Sequence, residues 1–241
     1  MWISQYQPGV ISRLQGFDLA RELSPSFVEP GSSLGPNVWP TEIPGFQEDI
    51  YGLYNQTTTV SHMLFRSFAE MLGLPADTFL QHVSERAEAF MRLLTYPETE
   101  GPVVKKQDAT VGIASHTDFE CFTIIHQNNQ GLHLRARDGQ WVQAPVSNDR
   151  LFVLVGDILE RWTNGVLVAT EHRVVNSEQK RQSIVRFNGV DGDTVVEPLP
   201  QFVSSGNPAK YERTTQRLHI ENEINKGEEH LAAAKATLAH V

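Results

Sequence analysis

Two histidines and one aspartate in this chain have the types and spacing of a metal site. His116 and Asp118 are separated by one residue at the end of the apolar run Val111–Ser115, and His172 follows far downstream. Side chains at positions i and i+2 of an extended segment point to the same side, so His116 and Asp118 can bind one ion together. Two imidazoles and one carboxylate are the ligand set of the non-haem Fe(II) facial triad, which leaves coordination positions open. His172 would then have to arrive from another strand.

Arg181 and Ser183 repeat this spacing on a later segment. Alternation divides the segment into two faces, one with Arg181, Ser183, Val185 and Phe187 and the other with Gln182, Ile184 and Arg186. A guanidinium beside a hydroxyl, set among apolar side chains, suits the distal carboxylate of a small diacid. Such a molecule would lie between the metal and the guanidinium. Arg186, on the opposite face, is expected to be exposed to solvent.

Each of these residues also has an ordinary structural alternative. His116 and Asp118 alone would be explained as a hydrogen-bonded pair, and Arg181 alone as part of a structural ion pair. The presence of His172 and Ser183 at matching positions favours a metal site with a carboxylate clamp beside it.

Other polar and aromatic residues are predicted to serve the fold. Asp157 and Glu160 have the D-x-x-E spacing of a capping box before a short helical turn. Trp162 is expected to pack in the interior, and the only cysteine, Cys121, to be a buried thiol in an apolar strand. Two further histidines are expected at the edge of the core or at the surface, namely His126 and His133.

The composition is that of a globular protein. The chain has 241 residues, of which 40% are hydrophobic and 20% charged, enough for one well-packed domain. A net charge of -9 argues against nucleic-acid binding, which needs Lys and Arg to neutralise phosphates. No apolar run approaches the roughly 20 residues that span a bilayer, and the first residues do not resemble a signal peptide. With the single cysteine, this predicts a cytoplasmic protein that does not bind membranes.

The first ninety residues are predicted to surround the site rather than to form the sheet. Residues 1–48 are rich in Pro, Gly and Ser, which predicts loops and a lid. Apolar spacing predicts two supporting helices over 49–90, one ending at Leu74 and the next running from Pro75 to about Ala89. These parts belong to a single predicted domain that covers 1–241.

Residues 91–199 are predicted to form the β-sheet core. Strand-like runs separated by turns cover 91–96, 111–115, 120–126, 131–136, 140–145, 150–156, 166–175, 181–187 and 194–198. Asp138-Gly139 and Asn164-Gly165 are dipeptides typical of hairpin turns. Many short strands favour a jelly roll or barrel over a parallel α/β sheet. A C-terminal helix is predicted over 206–240 from its Glu, Lys and Ala content.

The order of these motifs resembles the Fe(II)/2-oxoglutarate-dependent dioxygenases, in the branch that includes isopenicillin N synthase and plant flavonoid and gibberellin oxygenases. The resemblance covers about residues 35 to 218. Its most specific segments are Ser115-His116-Thr117-Asp118-Phe119, Gly131-Leu132-His133-Leu134, Gly156-Asp157-Ile158, Glu171-His172-Arg173-Val174 and Arg181-Gln182-Ser183. An HxD motif alone would be weak evidence for this family. An HxD motif followed by a distant His-Arg-Val and then by RxS is a specific pattern.

This resemblance implies a mainly β fold with flanking helices, the double-stranded β-helix or jelly roll. It implies Fe(II), 2-oxoglutarate and O2 as reactants, with the iron bound by His116, Asp118 and His172. The distal carboxylate of 2-oxoglutarate would be held by Arg181, Ser183 and Tyr96, and the substrate pocket would include Phe119 and Phe187. The reaction would oxidise a small organic molecule of secondary metabolism, by hydroxylation, desaturation or ring formation, and release succinate and CO2.

Two features depart from the family pattern. Plant members often have Asn where this chain has Leu94, so Tyr96 alone would assist Arg181 and Ser183. Relatives also carry strands and helices ahead of the segment Asn37-Val38-Trp39-Pro40 that have no counterpart here. This predicts an uncovered edge or face of the main sheet, and therefore either self-association as a homo-oligomer or low stability.

Two alternative functions remain consistent with the sequence. One is an oxidase of the same fold that does not use 2-oxoglutarate, because RxS could bind the carboxylate of its own substrate. The other is a non-catalytic, truncated metal-binding relative. The sequence does not identify the substrate, because the residues that determine substrate specificity are expected in the loops 1–48 and 98–110.

Overall fold

Two antiparallel β-sheets form the centre of the computed structural model, which describes residues 2–3, 11–12, 14–24, 34–98, 111–175 and 179–238. The larger sheet has the order β3 (Gln15–Ala20), β4 (Ala87–Tyr96), β11 (Arg181–Asp191), β6 (Phe122–Gln127) and β9 (Phe152–Val155). The smaller has the order β5 (Val111–His116), β10 (His172–Val175), β7 (Leu132–Arg135) and β8 (Trp141–Gln143). The predicted mainly β fold with flanking helices, a double-stranded β-helix, is confirmed.

The remaining elements lie around these sheets. Two short antiparallel pairs are formed by β1 (Trp2–Ile3) with β2 (Ile11–Ser12) and by β12 (Val195–Val196) with β13 (Thr214–Thr215). The helices are α1 (Phe46–Met71), α2 (Asp157–Trp162) and α3 (Gln216–Leu238), and single 3-10 turns cover Leu80–His82 and Pro200–Phe202. Over the described part of the chain, none of the helices combines the length and apolarity needed to cross a membrane.

The two sheets enclose an apolar layer that explains the alternation in the sequence. This layer takes side chains from both sheets, including Leu94, Ile125, Val185, Leu132 and Val174. Inward and outward positions alternate along each strand, so one apolar set fills the space between the sheets. Polar residues placed on these inward positions are therefore buried, which is how Arg181 and Ser183 come to lie inside the fold.

A second apolar layer covers the outer face of the larger sheet. Helix α1 begins after Gly45, which has a φ of 77°, and buries Phe65 and Ala69 against strand residues such as Phe122. The predicted packing of Trp162 is confirmed, because it is buried and stacks on Phe79 with ring centroids 5.3 Å apart. Cys121 is buried, as predicted, and His126 and His133 are half-buried.

The region predicted as two helices contains only one. The first agrees with α1, but the segment from Pro75 to Ala89 forms turns and one 3-10 turn, and β4 already begins at Ala87. Pairing of the start of β4 with β11 outweighs the helix propensity of Ala87-Glu88-Ala89. The prediction that residues 1–48 form only loops is also wrong, because β3 joins the larger sheet. Parts of that region and most of the 98–110 loop lie outside the described residues.

Other differences are local. Arg186 was expected in solvent but is 3% exposed, because α1 covers its face of β11 and its guanidinium lies over the Tyr54 ring, 4.2 Å from the centroid. Asp157 and Glu160 do not form a capping box, since no side chain caps α2.

Helix α3 begins at Gln216 and not at residue 206. The 166–175 strand is limited to β10, because a turn with positive φ at Asn164 and Gly165 ends α2.

Candidate active site

The predicted metal ligands meet at one end of the smaller sheet. The register of β5 and β10 places His116 directly opposite His172, with ring centroids 4.3 Å apart. Asp118 follows β5 by two residues, and its Oδ1 lies 3.7 Å from the Nε2 atom of each histidine. The three potential ligand atoms all lie within 4.8 Å of one another. One cation could therefore contact all three.

Backbone carbonyls fix the orientation of both imidazoles. Nδ1 of His116 lies 2.8 Å from the Ala114 carbonyl oxygen, and Nδ1 of His172 lies 2.9 Å from that of Thr170. A carbonyl oxygen only accepts hydrogen bonds, so each Nδ1 donates and each Nε2 lone pair faces Asp118. Burial, and next the neighbouring His172, lowers the pKa of His116 to about 4. His116 is thus neutral near neutral pH, the form that binds a metal.

Asp118 is held by a side chain that the sequence did not predict for the site. The Thr123 hydroxyl donates a 2.5 Å hydrogen bond to Oδ2 of Asp118, and both residues are buried. This leaves Oδ1 facing the two imidazoles. Two oriented Nε2 atoms and one carboxylate oxygen are a donor set that fits Fe(II), and among the described residues no other His, Cys, Asp or Glu joins this cluster.

The backbone after Asp118 is fixed by the start of α2. The amide of Gly156 donates to the Cys121 carbonyl at 2.9 Å, and the amide of Asp157 to that of Asp118 at 2.9 Å. Gly156 approaches so closely that a Cβ there would lie 2.3 Å from the Glu120 carbonyl oxygen. Only glycine permits this contact. The Gly156-Asp157 segment of the sequence motif therefore positions Asp118.

The predicted clamp residues form a second cluster, between the sheets. Arg181 is 3% exposed, pairs in register with Tyr96, and has its guanidinium over that ring, 4.7 Å from the centroid. Its Nη1 donates to the Ser183 hydroxyl at 3.3 Å, and its Nε and Nη2 donate to Oε1 of Gln127 at 3.2 and 3.1 Å. Arg181, Ser183 and Tyr96 are therefore brought together, with Gln127 added.

The charge of Arg181 has no carboxylate partner within the described residues. Burial lowers the pKa of Arg181, and burial raises the pKa of Tyr96. A buried cation that contacts only neutral groups is unfavourable unless an anion joins it. This arrangement suits a bound carboxylate.

Gly131 makes room for the Arg181 side chain. Its φ is 145°, and a Cβ at this position would lie 3.0 Å from Cδ of Arg181 and 2.9 Å from the carbonyl oxygen of Val175. Val175 ends β10, the strand that carries His172. Arg181 thus extends from the larger sheet toward the smaller one.

A cavity of about 700 Å³ lies beside Asp118. Phe119 and Phe187 both line it, together with residues of β3, β4 and α3 that include Leu19, Phe90, Arg92, Ile220 and Ile224. The clamp residues Arg181, Ser183 and Tyr96 are not among its lining residues. The clamp residues therefore lie outside this cavity.

Sequence reasoning missed Thr123, Gln127, Gly131 and Glu120 as parts of the site. Thr123 and Gln127 are polar residues on buried positions of the apolar strand β6, and this contrast was the available signal. Glu120 is buried two residues after Asp118, and burial, then the charge of Asp118, raises its pKa. Gly131 belongs to the segment Gly131-Leu132-His133-Leu134 that resembles the family, but its contact with Arg181 was not predicted.

Comparison with known proteins agrees with this geometry. Residues 87–189 match the sequence profile of the 2OG-Fe(II) oxygenase superfamily, and this stretch contains all three candidate metal ligands and the Arg181-x-Ser183 pair. Residues 87–189 are therefore assigned to this superfamily. Fe(II), 2-oxoglutarate and O2 are the reactants of its members, and His116, Asp118 and His172 offer the donor types that Fe(II) takes.

Curated relatives are moderately similar in sequence. Homoarginine-6-hydroxylase 2-ODD-233 of Oryza sativa subsp. japonica is 28% identical over 82% of this chain and 63% of its own length. The 2-oxoglutarate-dependent dioxygenase 21 of the same plant is 33% identical over 72% of this chain and 51% of its own length. The chain thus spans less than two thirds of the length of these relatives.

Solved structures share the fold. A full-length Neurospora crassa protein, in complex with alpha-KG and thymine, superposes with a TM-score of 0.78 at 25% identity, and the match covers 90% of this chain and 66% of that one. A 2OG-Fe(II) oxygenase family protein of Caulobacter crescentus superposes with a TM-score of 0.76 at 29% identity, and the match covers 88% of this chain and 69% of that one.

Proposed function

We propose that this chain carries a non-haem Fe(II)- and 2-oxoglutarate-dependent oxygenase activity that oxidises a small organic molecule. The observation that carries the proposal is the pairing of two features in one interior. His116, Asp118 and His172 offer three oriented ligand atoms within 4.8 Å, and the buried Arg181 has no carboxylate partner within the described ranges. A metal with open positions and a site for a diacid are the two requirements of this chemistry.

Each residue has a distinct task in this proposal. Nε2 of His116 and His172 and Oδ1 of Asp118 would hold Fe(II), which when bound supplies the redox chemistry that couples decarboxylation of 2-oxoglutarate to substrate oxidation by O2. Arg181 and Ser183, with Tyr96 beneath the guanidinium, would hold the distal carboxylate of 2-oxoglutarate. Gln127 keeps the guanidinium in place through two hydrogen bonds.

The cavity beside Asp118 is proposed as the substrate site. Its mostly aromatic and aliphatic lining, including Phe119 and Phe187, would exclude water from the reacting atoms and hold an apolar part of the substrate. The names of relatives mention homoarginine and gibberellin, and the Neurospora crassa structure contains thymine, so the family alone does not select a substrate.

An anaerobic titration tests the proposal. Adding 2-oxoglutarate to the Fe(II)-loaded protein is expected to produce a metal-to-ligand charge-transfer absorption, which Asp118→Ala abolishes. Arg66→Ala, which removes only an exposed ion pair with Asp77, serves as the control and is expected to leave the absorption unchanged. No absorption in the wild-type protein at saturating 2-oxoglutarate would contradict the proposal.

Succinate release separates the proposal from the alternatives. A 2-oxoglutarate-independent oxidase would consume O2 with substrate but form no succinate, and a non-catalytic relative would do neither. The product formed in that assay would show whether the reaction is a hydroxylation, a desaturation or a ring formation.

We also propose a cytoplasmic location, because the single cysteine fits a reducing compartment, and a role in secondary metabolism.

A further inference from the structure

Four carboxylates line the cavity beside the candidate metal site, and three of them have partners. Asp18 is bound by Arg92 through two hydrogen bonds of 2.7 Å. Glu88 lies 3.4 Å from Nε of Arg217. Asp118 accepts the Thr123 hydroxyl and faces the two imidazoles. The fourth is Glu120.

Glu120 differs from the other three. It is only 3% exposed, and its carboxylate accepts a hydrogen bond from its own backbone amide, but no side chain in the described part of the molecule forms a hydrogen bond or ion pair with it. Its main chain is fixed, because its carbonyl accepts the Ile158 amide at 3.2 Å. A carboxylate can accept several hydrogen bonds, so one backbone amide leaves it able to accept another from a donor in the cavity that Glu120 lines.

The rest of the lining limits what that partner can be. Phe90 and Phe187 stack with centroids 4.5 Å apart, and Phe119, Ile220 and Ile224 add further apolar surface. The only cationic side chain among the described lining residues is Arg92, which already holds Asp18. A ligand with an apolar body and one positively charged end would match both parts of the lining.

We propose that Glu120 binds a basic nitrogen of the substrate, an ammonium or a guanidinium, while the apolar body lies against Phe90, Phe119 and Phe187. This rests on the proposed function, in which the cavity is the substrate site. A cation beside Glu120 would gain a charge-assisted hydrogen bond in a desolvated position. A substrate carboxylate at the same place would be repelled by Glu120.

Matched small molecules test this assignment by calorimetry. Phenethylamine and phenethyl alcohol differ only in the charged end, and phenylacetate reverses the charge; hexylamine, hexanol and hexanoate repeat the series without an aromatic ring. The protein is loaded with Fe(II) and 2-oxoglutarate under anaerobic conditions. Each amine is expected to bind roughly tenfold or more tightly than its alcohol, as for a hydrogen bond to a charged group, and each acid to bind most weakly.

Two variants connect the preference to Glu120. Glu120→Gln keeps the shape but removes the charge, and is expected to bring amine and alcohol affinities within about twofold of each other. Glu70→Gln changes an exposed glutamate on α1 and is expected to keep the full preference. Thermal unfolding and iron content, measured on both variants, distinguish a lost contact from a lost fold.

Several outcomes would overturn the assignment. Amines that bind wild-type protein no better than the alcohols in both series, or no binding of any amine, contradict it. A preference that survives in Glu120→Gln shows that another group binds the nitrogen. The oxygenase proposal fails separately: an amine preference that depends on Glu120, in a protein that gives no charge-transfer absorption with 2-oxoglutarate, would retain the Glu120 assignment and refute the chemistry.

Discussion

Thr123 donates a 2.5 Å hydrogen bond to one carboxylate oxygen of Asp118, and the other oxygen lies 3.7 Å from both candidate histidine ligands. The hydroxyl thus selects which oxygen faces the metal position. Thr123 is fully buried on β6 in the larger sheet, whereas both histidines belong to the smaller sheet. The relationship joins the two sheets at the candidate metal site.

Removal of this hydroxyl is expected to weaken iron binding without removing a ligand. Thr123→Val keeps the shape of the side chain but frees Asp118 to rotate, and loss of such a supporting hydrogen bond typically costs about 10–100-fold in metal affinity. Thr123→Ser retains the hydroxyl and is the matched control. Competition with a chromophoric chelator measures both, and equal iron affinities for valine and serine variants would refute the role of the hydroxyl.

The triad assignment predicts a larger effect for the ligands themselves. His172→Ala is expected to abolish iron retention after desalting, because the site keeps only two protein ligands. His126→Ala, on β6 but outside the ligand cluster, is the control and is expected to retain iron. Atomic absorption measures the iron content of both variants. Full iron occupancy with normal turnover in the His172 variant would mean that the metal lies elsewhere.

Arg181 is expected to control cosubstrate affinity separately from iron. Arg181→Ala should weaken 2-oxoglutarate binding by roughly 2–5 kcal/mol, the usual cost of removing one partner of a buried charge pair. Arg181→Lys should recover only part of this, because the planar fork that contacts Gln127 and Ser183 is lost. Titration of the Fe(II) protein measures the affinities, and iron content should change little. An unchanged affinity in the alanine variant would favour the 2-oxoglutarate-independent oxidase.

Gly131→Ala is expected to affect both stability and the clamp. The φ of 145° disfavours any side chain, and the added Cβ would meet the Val175 carbonyl and the Arg181 stem. Backbone strain of this kind costs about 1–3 kcal/mol. Gly206→Ala is the control, since nothing lies within 4 Å of a Cβ there. Urea unfolding and 2-oxoglutarate titration should change for Gly131→Ala only; a normal cosubstrate affinity would show that Arg181 adapts.

The strands that carry the site were predictable because their alternation follows directly from burial on one face. The predicted run 111–115 matches β5 to within one residue, and the run 181–187 begins at the first residue of β11, which continues to Asp191. The i, i+2 spacing that placed His116 with Asp118, and Arg181 with Ser183, is a local property of extended chain. Residues grouped by such spacing are also grouped in the fold.

What the sequence could not predict depends on contacts between distant segments. β4 begins with helix-forming residues, and only its pairing with β3 and β11 makes it a strand. Arg186 was expected in solvent because no local feature predicts that α1 covers it. Thr123, Gln127 and Glu120 are recognisable as site residues only once the apolar layers around them are known.

His219 on α3 connects the cavity wall to the metal-site backbone. Its side chain is 7% exposed, and its Nε2 lies 2.9 Å from Oδ2 of Asp157, whose amide donates to the Asp118 carbonyl. Ile220 and Ile224 of the same helix line the cavity. This contact therefore helps to hold the helix against the cavity.

His219→Ala is expected to loosen α3 while iron and 2-oxoglutarate binding remain. Loss of the Asp157 contact should lower the free energy of local opening of α3 by about 1–3 kcal/mol, which raises amide exchange rates over residues 216–224. KM for a substrate identified in the succinate assay should rise more than kcat falls, because α3 contributes apolar wall and no reacting group. Glu221→Ala, at an exposed position on the same helix, is the control. Unchanged amide exchange in His219→Ala would mean that other contacts of the helix, such as the Arg217–Glu88 ion pair, hold it in place without His219.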